Sequence, residues 1–507
     1  MSNERAVLVG VGQVRNRPGL DGEAWTPLEP AKLMAIAAGR AAADAGLPGV
    51  LGQADYVGAI PPLAWAYDDV TGRFSELAGA KPRLAEEVAA GGEGPIQLLN
   101  QVANRIAEGE IRIALLVGAE AVYSRMRAAK EGAALSDWTP GGARMPGFMA
   151  TMKPFGNALE QRHGVSNPVE MYPILENALR ARAGRSIAAH QRFLAELMFR
   201  YSQVAERNPF SWFPEPRTAE EIARVDARNR WIGFPYPKLM NAIMEVDQGA
   251  AAIVMSESAA DALGIAPERR VHFLGGASAQ DGWSAAERFD LASSPAYAAA
   301  AREAQAHASL EIADVDLFDL YSCFPSAVEL ALDALGVSAS DPRPPTQTGG
   351  LAHHGGPGNN YAMHGLANTV LRLREGAGRV GWVSGLGMSA TKHAIAVLST
   401  DRARIDAADH RASKVELPKH LFEGPALVDA PEGPAEIESY TVRFDRDGRP
   451  EQSSIYLRLP DGRHSLALGE KSDALFRLLL EVEGVGVRGR VTAGVSSSPN
   501  VFALASS

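Results

Sequence analysis

One cysteine, Cys323, and a polar run from His353 to His364 hold most of the reactive side chains in this 507-residue sequence. The run carries His353, His354, Asn359, Asn360, Tyr361 and His364. A thiol beside an imidazole is an activated nucleophile, so Cys323 with His353 or His354 is a candidate catalytic pair. A lone cysteine in an apolar strand-loop equally serves as a small core residue, and that reading stands beside the first. Successive side chains alternate along extended chain, so at most one of His353 and His354 is expected to face a common site. No carboxylate or third histidine stands at ligand spacing around them, and no metal site is expected.

Two glycine-rich turns precede helix-like segments: Gly91-Gly92-Glu93-Gly94-Pro95 and Gly355-Gly356-Pro357-Gly358-Asn359-Asn360. Backbone N–H groups exposed at helix N-termini hold anionic oxygens. Gly92, Gly94, Gly356, Asn359 and Asn360 are therefore candidates for an oxyanion or substrate pocket. Glycine there also permits close helix packing, and the two roles are compatible.

The elements that must position these residues come from a duplication. Leu99 to Glu120 (LNQVANRIAEGEIRIALLVGAE) aligns without a gap on Leu366 to Gly387 (LANTVLRLREGAGRVGWVSGLG) at an offset of 267. Arg105 falls on Arg372, Glu108 on Glu375, Gly109 on Gly376 and Gly118 on Gly385. Each copy has helical periodicity, an acidic-Gly stop and an apolar run, which reads as helix, C-cap and buried strand. Weaker matches, 41–60 with 304–323 and 250–257 with 392–399, extend the repeat outward. Alternating helix and buried strand predicts α/β layering with mainly parallel pairing.

These matches divide the chain into a first half (1–265) and a second half (266–404). An insert at 126–240, rich in Met, Pro, aromatics and Arg, interrupts the first half. Long inserts inside a domain commonly act as lids or binding subdomains. Residues 186–207 within it read as an amphipathic helix. A connector (405–435) leads to an additional β-rich domain (436–507), with OB-like as one form open to it, a helix near 472–483, and an end expected to fray past Ser496.

Hydrophobic residues make up 46% and charged residues 22%, ordinary values for a soluble globular protein. The opening MSNERAVLVGVG lacks the basic and apolar regions of a signal peptide, and a cytoplasmic location is expected. A net charge of −10 argues against general affinity for nucleic acid or anionic membrane.

From about residue 5 to 400 the sequence resembles the thiolase superfamily. The likeness rests on IAEGEIRIALLVGAEAV, VDQGAAAIVMSESAADALGI (246–265), DLFDLYSCF (316–324), TGGLAHHGGPGNNY (348–361) and VSGLGMSATKHA (383–394), in that order. With its appended domain, the chain looks closest to SCP2-thiolase-like and acetyl-CoA acetyltransferase-like proteins that carry an additional C-terminal domain. The resemblance implies two α/β halves in five layers (αβαβα), and coenzyme A or acyl-CoA as substrate or ligand, with no permanently bound cofactor.

The same resemblance places the nucleophilic cysteine on Gly92, the Gly-His-Pro histidine on Gly356, the second cysteine on Val383 or Ser384, and the residue holding an oxyanion-hole water on Tyr321. All four types are changed, so acylation of a cysteine at Gly92 is not expected. Likeness to the steroid-chain retro-aldolases of the superfamily offers Tyr321 as a phenolic acid; a buried hydrogen-bonded ring is the alternative. The site is expected where Gly91–Pro95, Tyr321–Cys323, His353–Asn360 and Ser384–Met388 meet. The insert would cover its entrance, and Arg180, Arg182, Arg185 and Arg230 would collectively read phosphates, although each taken singly reads better as a solvated helix charge.

These features suggest an acyl-CoA-handling enzyme, of acyltransferase or carbon–carbon cleaving type, without the usual Cys/His/Cys set. A non-catalytic acyl-CoA binder or scaffold is the alternative. A nucleic-acid binder is disfavoured, because residues 436–492 hold nine Lys/Arg against ten Asp/Glu. No membrane partner is expected, and the oligomeric state is left as monomer or homodimer.

Overall fold

The computed structural model describes residues 4–19, 25–141 and 153–505. The repeat appears where the offset puts it. Helix Gly94–Ala107 and strand Ile113–Ala121 in one half correspond to helix Tyr361–Arg374 and strand Val380–Gly387 in the other. Gly109 and Gly376 end the two helices in the left-handed region, at φ 76° and 75°. Glycine accepts that conformation without a Cβ penalty and stops each helix at the same point.

Both helices are buried along most of their length. Ile96, Leu99, Val102 and Ile106 of the first share one core with Leu366, Val370 and Leu373 of the second. They form the middle layer of five. Helix Pro30–Asp44 covers the outer face of the first half's sheet through Leu33, Met34, Ala37 and Ala41, packed on Val7 and Val9. Helices Pro295–Ala308 and Pro325–Leu335 cover the outer face of the other.

The main sheet runs Leu84–Glu87, Tyr56–Ile60, Ile113–Ala121, Asp247–Ser256, Ala6–Arg15, Val271–Gln280, Lys392–Ser399, Val380–Gly387, Leu317–Asp319. Only two residue pairs, Val7 with His272 and Leu8 with Val271, join the halves across its centre. Pairing is mixed, which corrects the expectation of mainly parallel strands. Asp247–Ser256 runs antiparallel to both its neighbours, and Lys392–Ser399 does the same. The four residues between Gly387 and Lys392 are too few for a parallel crossover, so that connection must be a hairpin.

The C-terminal strands close on themselves as a five-stranded barrel: Gly433–Phe444, Pro450–Arg458, His464–Gly469, Val501–Leu504 and Arg488–Thr492, which returns to the first. The end past Ser496 therefore does not fray as expected. Val501–Leu504 pairs on both sides, and Phe502 is fully buried in the barrel core. Without it the barrel would keep two open edges.

The described part of the insert joins body to barrel. Helix Ile187–Arg207 matches the amphipathic segment, capped by Ser186 Oγ. Helix Pro168–Arg182 lies against the barrel, where Asn177 Nδ2 donates to the Tyr440 carbonyl (2.9 Å). Glu160 ties three parts together. Its carboxylate accepts from Tyr456 Oη of the barrel (2.6 Å), Ser284 Oγ (2.5 Å) and Ala286 N (2.9 Å) of the second half, and Asn157 N of the insert (2.8 Å). The Met-rich stretch expected to cover the entrance lies largely outside the described residues.

Candidate functional site

The N-terminus of helix Gly94–Ala107, the loop after strand Leu317–Asp319 and the end of strand Val380–Gly387 converge on Gly92. A Cβ on Gly92 would lie 2.2 Å from Tyr321 Oη and 2.4 Å from the Leu386 carbonyl oxygen. The space that a side chain would need is already filled by the Tyr321 phenol. Ser384 Oγ accepts from the Tyr321 backbone N–H (3.3 Å), and the Tyr361 ring meets Tyr321 edge-on at 5.5 Å. Among the described residues the Tyr321 hydroxyl has no hydrogen-bond partner. Burial, with Cys323, Tyr361 and Glu93 nearby, holds its pKa well above the ordinary value, so it stays protonated.

Glu93 occupies the N-cap position of the same helix without a side-chain capping hydrogen bond and is 3% exposed. Its Oε1 stands 3.2 Å from Lys392 Nζ, which also donates to the Ala90 carbonyl (3.2 Å). Its Oε2 has no partner among the described residues. That oxygen fits between two glycines: a Cβ on Gly91 or Gly387 would come within 2.0 or 1.9 Å of it. Burial raises the Glu93 pKa and the Lys392 charge pulls it back. Sequence reading missed this pair. The turn was read for its glycines, and nothing local links position 93 to 392, although a lone carboxylate between them was visible.

Cys323 is half-buried, and the side chain acting on its thiol is Tyr172 rather than a histidine. Tyr172 Oη donates to the Met388 carbonyl (3.0 Å) and accepts from Ala390 N (3.1 Å). Burial pushes the thiol up to about 12. The Cys–His pair is thereby corrected: among the described residues no hydrogen bond joins Cys323 to an imidazole. Because the thiolate is the reactive form, alkylation by iodoacetamide should be slow at pH 8 and still accelerating above pH 10. A rate that levels off near pH 8.5, as for a free thiol, would show that burial does not control this group.

The chain is 32% identical to a monomeric SCP2-thiolase-like protein type 1 from Mycobacterium smegmatis, over 99% of both chains, with a TM-score of 0.80. It belongs to the SCP2-thiolase-like protein type 1 family. Residues 418–494 match the family model of the thiolase-like protein type 1 additional C-terminal domain. Two more distant structures share the fold. The Ltp2–ChsH2(DUF35) aldolase is 18% identical over 78% of this chain and 98% of its own, with a TM-score of 0.59. The acetyl-CoA acetyltransferase from Syntrophomonas wolfei is 15% identical over 79% of this chain and 100% of its own, with a TM-score of 0.55. No curated protein matches the sequence.

Both adjacent histidines belong to the helical turn that begins at Gly350 and ends at His354, so alternation in extended chain does not apply. His354 is fully buried beside Asn208 Nδ2, 3.3 Å from its Nδ1, and its ring lies 4.9 Å from that of His364. His364 Nδ1 donates to Gln13 Oε1 (2.8 Å). Burial drives His354 well below the usual range, His364 to about 3 and His353 to about 4, the last with help from Arg217. All three are neutral at pH 7, so none supplies a proton as imidazolium.

Four of the five residues proposed for the oxyanion pocket have donors already engaged. The Gly94 N–H bonds the Gly91 carbonyl (3.0 Å), and the Gly356 N–H bonds that of Ile243 (2.8 Å). The Asn359 and Asn360 amides donate to the carbonyls of Pro61 (2.9 Å) and Gly118 (2.7 Å), so they bind the halves together. Three of the four arginines are likewise committed. Arg180 makes a two-pronged pair with Glu483 (2.6 and 2.7 Å), Arg182 pairs with Asp333, and Arg185 with Glu329 (3.1 Å). Arg230 donates to the carbonyl of Trp231 (3.1 Å).

Three helices bring together Glu176, His190 and Glu329, with ligand atoms within 4.8 Å of one another. Their separation in sequence hid the cluster. His190 Nε2 donates to Glu176 Oε1 (2.7 Å), while an Arg185 N–H faces both Glu329 (3.1 Å) and His190 Nδ1 (3.3 Å). A guanidinium already supplies the positive charge, and a metal on Nε2 would set the Nδ1 proton against the Arg185 donor. The cluster fits a hydrogen-bonded charge network better than a metal centre.

Proposed function

We propose that this protein handles acyl-CoA thioesters as a carbon–carbon bond enzyme that works by proton transfer, without forming an acyl-enzyme. The observation that carries this reading is the Tyr321 hydroxyl, unpartnered among the described residues and standing in the side-chain space of Gly92. A nucleophile cannot share that space, whereas a phenol there can donate to an enolate or alkoxide oxygen. The protonated Cys323 thiol is a second proton carrier beside it. Acyltransfer through a thioester on this chain would need a thiolate that neither position supplies.

A second reading, a non-catalytic acyl-CoA binder, draws support from Glu93. Its carboxylate sits at the helix N-terminus where a thioester oxygen would otherwise be held. The two are separated by incubating the protein with a panel of acyl-, 3-hydroxyacyl- and 3-oxoacyl-CoAs. Carbonyl products, free thiol and binding heat are followed together. Cleavage to a carbonyl compound and a shorter acyl-CoA without a covalent protein adduct is expected. Binding heat without products would favour the binder, and a mass-shifted Cys323 adduct would overturn the proton-transfer mechanism.

A further inference from the structure

Three buried carboxylates, Glu93, Asp319 and Glu329, leave one oxygen without a partner among the described residues, and Glu93 is the one at the Gly92 turn. Asp319 takes its donors on one oxygen in the 346–348 loop and Glu329 belongs to the Arg185–His190 network, while Glu120 and Glu160 have both oxygens engaged. Glu120 accepts one backbone N–H on each, from Leu63 (2.5 Å) and Ala64 (2.9 Å), and the four donors to Glu160 are shared between its two. Glu93 is instead anchored through one oxygen to Lys392 and leaves the other unpaired in a buried glycine cleft, next to the position that Tyr321 fills. Leaving a buried acceptor unpaired costs about 1–3 kcal/mol. Glu329 shares the pattern of a fixed cation on one oxygen and a free second oxygen within a charge network, but Glu93 alone of the three stands beside Gly92 and the Tyr321 phenol, where a carboxylate with one free oxygen can take a proton.

We propose that Glu93 is the base that takes a proton from the carbon next to the thioester carbonyl, with Tyr321 as the facing acid and Lys392 as a positioning residue. This assignment rests on the reading above. The C–H electron pair becomes the carbon–carbon double bond of the enolate, and the proton moves to Glu93 Oε2. The Tyr321 hydroxyl hydrogen-bonds the enolate oxygen. Once the carboxyl group has exchanged with solvent, reversal returns a solvent hydrogen to carbon. The charged or titratable side chains acting on Glu93 are Lys392 and Tyr321.

The test is wash-in of deuterium at the α-carbon of acetyl-CoA and butyryl-CoA in D2O, read by mass spectrometry beside binding heat. It is run on the full chain and on Glu93→Gln, Tyr321→Phe and Lys392→Met. Glu93→Gln is expected to slow exchange at least a hundredfold without weakening binding. Lys392→Met should move the rising limb of the pH–rate profile to higher pH, because it removes the charge that holds the Glu93 pKa down. Exchange by Glu93→Gln at the parental rate overturns the assignment and leaves the proposed function standing. Binding of both thioesters with no exchange in the parent overturns both and leaves the binder.

Discussion

A Gly92→Cys variant is expected to lose about 2–3 kcal/mol of stability, the scale of an overpacked core, and to gain no thiolysis of acetoacetyl-CoA. The new Cβ would fall 2.2 Å from Tyr321 Oη and 2.4 Å from the Leu386 carbonyl. One neighbour is a buried phenol and the other is backbone in a strand that pairs on both sides, so neither can yield cheaply. Restoring the thiol therefore fails before any chemistry begins. Gly92→Cys combined with Tyr321→Ala should recover more stability than the two single changes predict when added, because they act on one contact. Equilibrium unfolding in urea measures both. A single variant as stable as the parent, or thiolysis by it, would show that the phenol does not block the site. Thiolysis by the parent that vanishes on Cys323→Ala would move the nucleophile to Cys323.

Removal of the Glu160 carboxylate is expected to cost about 3–5 kcal/mol, because several buried donors lose their acceptor at about 1–3 kcal/mol each. Glu160→Ala strands the Tyr456 hydroxyl, the Ser284 hydroxyl and the N–H groups of Ala286 and Asn157 in a junction of three chain segments. Because those donors lie in the barrel, the second half and the insert, the loss should loosen the barrel as a unit. Limited proteolysis is expected to cut the 405–435 connector in Glu160→Ala well before it cuts the parent. Glu160→Gln, which keeps one acceptor oxygen, should fall between the two. Equal resistance in all three proteins would mean that the barrel is held by its apolar contacts alone.

The sequence by itself determined the parts that depend on local pattern and residue identity. The 267-residue offset, the acidic-Gly stops at Gly109 and Gly376 and the apolar runs at 113–121 and 380–387 were legible because helix period and strand burial are written within a dozen residues. Glycine at position 92 was equally plain, and with it the absence of a nucleophile there. Tertiary structure alone decided what occupies the resulting space. Tyr321 reaches Gly92 from 229 residues away and Lys392 reaches Glu93 from 299, and no periodicity encodes such pairs. It also decided that Tyr172 rather than a histidine acts on Cys323, that the paired histidines sit in a helical turn beside Asn208, and that Arg180 meets Glu483 instead of a phosphate. Reactivity follows the same division. A side chain's type is local, but its protonation state depends on burial and on which charges the fold brings within a few ångströms, and those are properties of the packed molecule.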